Sequence, residues 1–294
     1  MGTEAGINQR TNIMKVVLTG ATGFIGRYVL KELAKLPIAI TVIGRTNKLE
    51  APNPSQAQYI QFDLCDSTEG TFKCLGEPDL LFHLAWGGLN NFSSPKHLEH
   101  ELPMHYRFLE QMIVAGLPSL LITGTCLEYG LQSGALSEQS TTAPVTPYGT
   151  AKDTLRRQLD RLNTTRPFKL TWARLFYLFG KGQAEKTLYS QLLHAAERGD
   201  SHFNMSGGKQ LRDYLPVEDV ANLLVRLGMK QQDLGVVNLC SGTPTSVLEL
   251  VNGWREKYNL KIQLNPGHYP YPNYEPMEFW GDNKKLLTSL ASCQ

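Results

Sequence analysis

Short apolar runs alternate with amphipathic stretches along most of this chain. Residues 16–18, Val-Val-Leu, give a β-branched strand signal, and residues 27–35 read as a helix. Further strands are predicted at 38–43, 58–62, 79–85, 119–123, 170–176 and 235–239. The run at 79–85 is almost continuously apolar, as a parallel strand buried on both faces requires. Helices are predicted at 97–115, with Pro103 as a kink or boundary, at 148–162 and at 217–227. In the second of these, Leu155, Leu159 and Leu162 recur at helical spacing, and Asp153/Arg157 and Arg156/Asp160 form i,i+4 pairs on other faces. Alternating strands and helices predict an α/β fold built on a doubly wound parallel sheet.

The rhythm changes twice. Residues 131–146 read as a polar loop, and beyond 178 glycines interrupt shorter elements. Residues 266–280, rich in Tyr and Pro, read as irregular structure wrapped on a core. We therefore expect a cofactor-binding domain at 14–178 plus about 214–240. A smaller C-terminal substrate lobe, at about 179–213 plus 241–294, would be interleaved with it. Residues 1–13 are polar, lack the apolar core of a secretory signal and read as a disordered leader.

Composition narrows the function classes. A net charge of +2 over 294 residues gives no general field for nucleic acid or membrane, so an anionic ligand needs a local basic site. No apolar run approaches the ~18 residues of a membrane span. Five scattered cysteines with no C-x-x-C pair point to reduced thiols and a cytoplasmic setting.

The strongest candidate site is the turn carrying Gly20, Gly23 and Gly26 between the first strand and helix. Such a turn brings backbone N–H groups and a helix N-terminus to a pyrophosphate. At the end of the second strand Gly44 is followed by Arg45, with Lys48 nearby and no acidic residue. That favours a 2′-phosphate, so NADP(H) is preferred over NAD(H), although Arg45 is equally compatible with a solvated loop. Trp86 follows the fourth strand at its C-terminal end, where ligands sit in open α/β sheets.

Tyr148 and Lys152 share one helix face, and a nearby ammonium would lower the tyrosine pKa from ~10 for proton transfer. Spacing alone equally allows a helix start with a solvated lysine. Thr125, just past the fifth strand, could orient a substrate oxygen or bond its own backbone. His97, His100 and His105 lack the H-E-x-x-H spacing, so no metal is expected, and His83 reads as a hydrogen-bonded core residue.

Taken in order, seven segments resemble the extended short-chain dehydrogenase/reductase family, and within it the nucleotide-sugar enzymes. They are Thr19-Gly-Ala-Thr-Gly-Phe-Ile-Gly26, Asp63-Leu64, His83-Leu-Ala-Trp86, Thr123-Gly-Thr-Cys-Leu-Glu-Tyr-Gly130, Pro147-Tyr-Gly-Thr-Ala-Lys152, Ala173-Arg-Leu-Phe-Tyr-Leu-Phe-Gly180 and Arg212-Asp-Tyr-Leu-Pro-Val-Glu-Asp219. The resemblance implies a Rossmann-type sheet with Thr125, Tyr148 and Lys152 as catalytic residues. It places Gly20, Gly23, Phe24, Ile25 and Gly26 at the cofactor pyrophosphate, Asp63 and Leu64 at the adenine, and Leu84 and Ala85 along the cofactor cleft. Tyr148 and Lys152 would also reach the cofactor. Arg212 would bind the diphosphate of a nucleotide sugar, with Trp86, Gln183 and Asn204 as further substrate residues. A homodimer through the helices at 97–115 and 148–162 is also implied, although the leucine stripe of the latter could equally be intramolecular core.

Departures from the family pattern narrow the reaction. Cys126 and Leu127 stand where related dehydratases carry an acid pair, and Leu127 stands where epimerising relatives carry a cysteine. Simple hydride transfer or 4-epimerisation remains; Gly124-Thr-Cys-Leu-Glu-Tyr-Gly130, Trp86-Gly-Gly-Leu89 and Gly267-His-Tyr-Pro-Tyr-Pro272 resemble a branch of the family whose members reduce the 4-keto group of a nucleotide-linked 4-keto-6-deoxyhexose, which the resemblance implies here. A 4-epimerase with tightly held NAD is the alternative enzyme, and a non-catalytic NADP-sensing protein the alternative of another class.

Overall fold

The computed structural model describes residues 13–45, 57–271 and 276–291; Lys48, Cys293 and residues 1–12 lie outside them. The chain opens with β1 (Lys15–Thr19), α1 (Phe24–Leu33), β2 (Ala39–Gly44), β3 (Ala57–Gln61), the one-turn helix α2 (Thr71–Cys74) and β4 (Leu80–His83). A π-helical turn (His97–Glu101) runs into α3 (Leu102–Val114), followed by β5 (Ser119–Thr125), a 3-10 turn (Cys126–Tyr129), β6 (Gly134–Leu136) and α4 (Pro147–Thr165). Then come β7 (Lys169–Leu175), β8 (Tyr177–Phe179), α5 (Leu188–Glu197), β9 (His202–Met205), β10 (Leu211–Arg212), β11 (Tyr214–Pro216), α6 (Val217–Met229) and β12 (Gly235–Leu239). The chain closes with β13 (Thr245–Ser246), α7 (Val247–Lys257), β14 (Gln263–Pro266), β15 (Glu278–Gly281) and α8 (Lys284–Ala291).

Seven of these strands form a parallel sheet in the order β12-β7-β5-β4-β1-β2-β3. Helices α1 and α6 cover one face through a core containing Val29, Leu30, Leu33, Val220 and Leu224. Helices α3 and α4 cover the other through Phe108, Leu109, Met112, Leu155 and Leu159, around Trp172 of β7. This is a Rossmann-like α/β fold, and strand order reverses between β1 and β4, the switch point where such sheets bind ligands. The leucines of α4 are therefore spent inside the chain, which settles the alternative left open by their spacing. A separate apolar cluster joins α5, α7 and β9 through Tyr189, Leu192, Phe203, Val251 and Trp254. None of the described helices is long and apolar enough to cross a membrane.

Local chemistry explains most boundaries. Helix α4 opens on a Thr146 cap with Pro147 in its first turn, and stops at Arg166, before Pro167. Helix α1 starts earlier than its pattern predicts, because Gly23 N–H closes on Gly20 O at 3.0 Å and Gly23 itself is the cap residue. The stretch at 97–115 divides into the π-helical turn and α3, with Pro103 in the first turn of α3, where its missing N–H costs little. Two expectations of irregular structure are corrected. The polar loop holds β6 and the aromatic tail holds β15, which pair with each other while β15 also pairs with β10. Strands this short are set by their partners and carry no period of their own.

The glycine turn leaves no room for side chains. Gly20 adopts φ +75°, and a Cβ there would stand 2.7 Å from Ala85 N; a Cβ on Gly26 would drive into the Gly20 carbonyl. Gly26→Ala should therefore cost ~1–3 kcal/mol in urea unfolding. Gly253→Ala, inside α7 with nothing within 4 Å of the added carbon, should be neutral or gain ~0.5–1 kcal/mol. Equal effects at the two sites would refute the packing argument.

Candidate active site

The glycine turn and the end of β4 are tied together by one hydroxyl. Thr19 Oγ1 accepts the N–H groups of Leu84 and Ala85, both at 3.1 Å, and lies 3.1 Å from His83 Nδ1. Helix α1 has no side-chain cap and no acidic residue in its first turn, so Phe24, Ile25 and Gly26 open it on backbone N–H groups alone. Such a turn suits an anionic pyrophosphate, and its tightness depends on glycine: a Cβ at Gly20 or Gly26 would run into backbone, and one at Gly23 would stand 3.1 Å from Gly20 O. Arg45 is exposed at the end of β2. Asp63 caps the turn Leu64–Asp66, its Oδ1 accepting the Cys65 N–H at 3.0 Å, and Leu64 is half-buried beside the α3–α4 core.

Thr125, Tyr148 and Lys152 converge beyond this wall. Thr125 is the last residue of β5, not a residue past it, and it caps the following 3-10 turn by accepting the Leu127 N–H at 3.3 Å. Its side chain also acts on the Tyr148 phenol, opposing in part the effect of burial there. Tyr148 opens α4, donates its N–H to Phe92 O at 3.1 Å, and lies under the Phe92 ring with centroids 5.0 Å apart. One turn on, Lys152 donates from Nζ to Thr123 O at 2.9 Å and stands 4.0 Å from the centroid of the Trp86 indole.

The titration of this pair corrects the expectation from spacing. Burial pushes the Tyr148 phenol well above the ordinary tyrosine range, and the charges of Glu128 and Cys126 push the same way. Burial brings Lys152 down to about 7, against the opposing pull of Glu128 and Glu101. Desolvation therefore outweighs any help from the lysine, and the Tyr148 phenol keeps its proton at neutral pH.

Sequence reasoning missed the residue that fixes Thr125. Glu128 is fully buried and accepts the Thr125 N–H at 2.8 Å, Trp172 Nε1–H at 3.1 Å and Arg174 Nε–H at 2.8 Å. Its ion pair with Arg174 closes at 2.7 Å, and the guanidinium lies 4.3 Å from the Tyr129 ring centroid. The signal was legible: Thr125-x-x-Glu128 is a capping box. Also missed was a buried series joining Thr19, His83, His105 and Glu101, in which no fixed spacing could be read.

The remaining substrate candidates are more dispersed. Trp86 stacks on His105 and carries Lys152. Gln183 donates to Leu178 O at 2.9 Å, and its buried Oε1 has no partner among the described residues. Arg212 is buried on β10, donating to Leu211 O at 2.8 Å, with its guanidinium 5.6 Å from the Tyr177 ring centroid. Asn204 is set apart from the Tyr148 group: it lines a cavity of about 500 Å³ with Lys186, His194, Arg198, His202 and Tyr269.

The geometry finds parallels among known proteins. The family model described as NAD dependent epimerase/dehydratase family matches residues 16–240. A dTDP-6-deoxy-L-talose 4-dehydrogenase (NAD(+)) of Aggregatibacter actinomycetemcomitans is 30% identical over 91% of this chain and 99% of its own length. A UDP-glucose 4-epimerase of Lactobacillus helveticus is 25% identical over 95% of this chain and 92% of its own. Among solved structures, MoeE5 in complex with UDP-glucuronic acid and NAD superposes with a TM-score of 0.77 at 26% identity, covering 94% of this chain and 92% of that one.

Two outcomes follow from the buried charges. Glu128→Ala leaves Arg174 buried without its carboxylate and should cost ~3–5 kcal/mol in urea unfolding; a loss under ~1 kcal/mol would mean that water replaces the pair. In the unfolded chain Lys152 holds its proton up to its ordinary value of 10.5, and in the folded chain only to about 7. Between these values the unfolded state binds more protons, so stability rises with pH. Relative to Lys152→Met, the wild type should gain up to ~1.4 kcal/mol per pH unit between about pH 7 and 9. A pH-independent difference in unfolding free energy would contradict this.

Proposed function

The chain belongs to the NAD dependent epimerase/dehydratase family, and from that premise we propose that it is a nucleotide-sugar 4-ketoreductase. The observation that carries this reading is the buried grouping of Tyr148 at the start of α4, Thr125 at the end of β5 and Lys152 against Trp86, in which burial holds the Tyr148 phenol in its protonated form. A protonated donor suits reduction, in which a carbonyl oxygen must gain a proton. Cys126 and Leu127 stand in place of an acid pair, and the neighbouring carboxylate, Glu128, is buried and paired with Arg174, which disfavours elimination. The similarity to a dTDP-6-deoxy-L-talose 4-dehydrogenase supports a 4-keto-6-deoxyhexose carried on a nucleoside diphosphate.

Gly20, Gly23, Phe24, Ile25 and Gly26 would hold the cofactor pyrophosphate, with Asp63 and Leu64 at the adenine and Leu84 and Ala85 along the cleft. The bound nicotinamide supplies a hydride to C4 of the sugar. Thr125 donates a hydrogen bond to the 4-keto oxygen, and Tyr148 gives that oxygen its phenolic proton as the carbonyl electron pair moves onto it. Lys152 balances the phenolate left on Tyr148. Arg212 and Gln183 would contact the diphosphate and sugar, with the free Gln183 Oε1 available to a sugar hydroxyl. The substrate lobe, a homodimer through outward faces of α3 and α4, and a cytoplasmic setting belong to the same proposal.

NADP(H) is the proposed cofactor, on the strength of Arg45, although the Aggregatibacter relative is named for NAD(+). The rival reading, a 4-epimerase, draws on the similarity to a UDP-glucose 4-epimerase and predicts no net cofactor consumption.

A panel of 4-keto nucleotide sugars should give stoichiometric loss of reduced cofactor absorbance, and Tyr148→Phe should lower kcat by ~100-fold or more while cofactor still binds. Turnover of a 4-hydroxy nucleotide sugar without cofactor loss would establish the epimerase instead. NADPH should give a kcat/KM at least ~10-fold above NADH, and Arg45→Ala should erase the difference. An unchanged ratio in that variant would remove Arg45 from cofactor choice.

A further inference from the structure

A series of hydrogen bonds runs from the glycine turn to the loop that follows β4. The Thr19 hydroxyl accepts two backbone N–H groups, which uses both its lone pairs, so its own proton goes to Nδ1 of His83. That leaves Nε2–H of His83 to donate to Nδ1 of His105 at 2.8 Å. His105 in turn donates from Nε2 to Oε2 of Glu101 at 3.2 Å, and the same oxygen accepts the Gly87 N–H at 2.7 Å. Each tautomer is fixed by the bond before it, and both imidazoles are neutral. Burial holds both histidines below the usual imidazole range, and the bond to His105 holds Glu101 below the usual carboxylate range.

The series ends under the lysine of the site. The neutral His105 ring stacks on the Trp86 indole with centroids 4.5 Å apart and planes 8° from parallel. Trp86 is pinned by its Nε1–H to His97 Nδ1 at 3.1 Å, and His97 Nε2–H donates to Asn91 O at 2.9 Å. The Lys152 ammonium stands 4.0 Å from the centroid of this indole. An imidazolium at His105 would set a second cation against the same ring and against Lys152.

Lys152 is faced by Glu128 from the turn after β5, His83 from β4, His105 from α3 and Glu101 from the π-helical turn. Two of these are carboxylates, and Glu128 is already paired with Arg174. Glu101 is faced by His105, His97 and Cys65, none of which holds an obligatory positive charge. Its charge is therefore the one not spent on an arginine.

We infer that Glu101 is a positioning residue for Lys152: through the neutral His105 and the Trp86 indole it holds the ammonium in the site, and its negative charge favours the protonated form. The inference rests on the reading of Tyr148 and Lys152 as the proton-handling pair. Glu101→Gln keeps an acceptor for Gly87 and His105 and removes the charge; Glu101→Asp keeps the charge.

The test is an NMR titration of the full chain labelled with ¹³C at the lysine Cε, with the Lys152 resonance identified as the one absent from Lys152→Met. The midpoint should fall by about half a pH unit or more in Glu101→Gln and stay within about a quarter unit of wild type in Glu101→Asp. Thermal unfolding of each variant shows that the titrated protein is folded. An unchanged midpoint in Glu101→Gln overturns the inference, and so does an equal fall in both variants. The titration needs no substrate, so absence of turnover across the sugar panel would overturn the reaction alone and leave this result standing.

Discussion

The structure depends on how closely two backbone segments approach at the switch point of the sheet. Gly20 sits against the Leu84–Ala85 peptide, nearer than any side chain permits, and the Thr19 hydroxyl ties the two segments by bonds to both N–H groups. That contact aligns the carboxyl ends of β1 and β4. It sets where α1 begins, and it sends the chain after β4 across the N-terminus of α4 as the loop that carries Trp86 and Phe92. A wider turn would displace the glycine cradle and the covering of Tyr148 together.

Burial, more than charge, sets the chemistry of the site. A solvated Tyr–Lys pair would share a proton at a lowered tyrosine pKa. Here Tyr148 lies under Phe92 and Lys152 under Trp86, and removing both from water favours their neutral forms. The buried Glu128 opposes this for the lysine and reinforces it for the tyrosine. One carboxylate thus serves three ends: it caps the turn at Thr125, neutralises Arg174 and biases both titrating groups toward keeping their protons.

The central sheet was legible because its inner strands, such as β1, β4, β5 and β7, are buried on both faces and carry apolar runs. Residues 235–239 match β12 residue for residue. The two helices of the α3–α4 layer were legible from period and proline. What escaped was set by contacts between distant segments: β6 and β15 have no pattern until they meet, and the His83–His105 bond joins residues with no sequence relation. Glu128 was the exception, since its capping spacing was visible and its burial was not. The spacing that suggested a depressed Tyr148 misled because it says nothing of Phe92, which comes from fifty-odd residues earlier in the chain.

Phe92 carries one more implication. It shields the phenol from solvent, yet it belongs to the segment that leaves β4 beside the cofactor wall. If Tyr148 is the acid of the proposed reduction, the Phe92 ring lies between the spent phenolate and bulk water. On the proposed reduction, restoring that proton and exchanging the cofactor would both depend on one piece of chain.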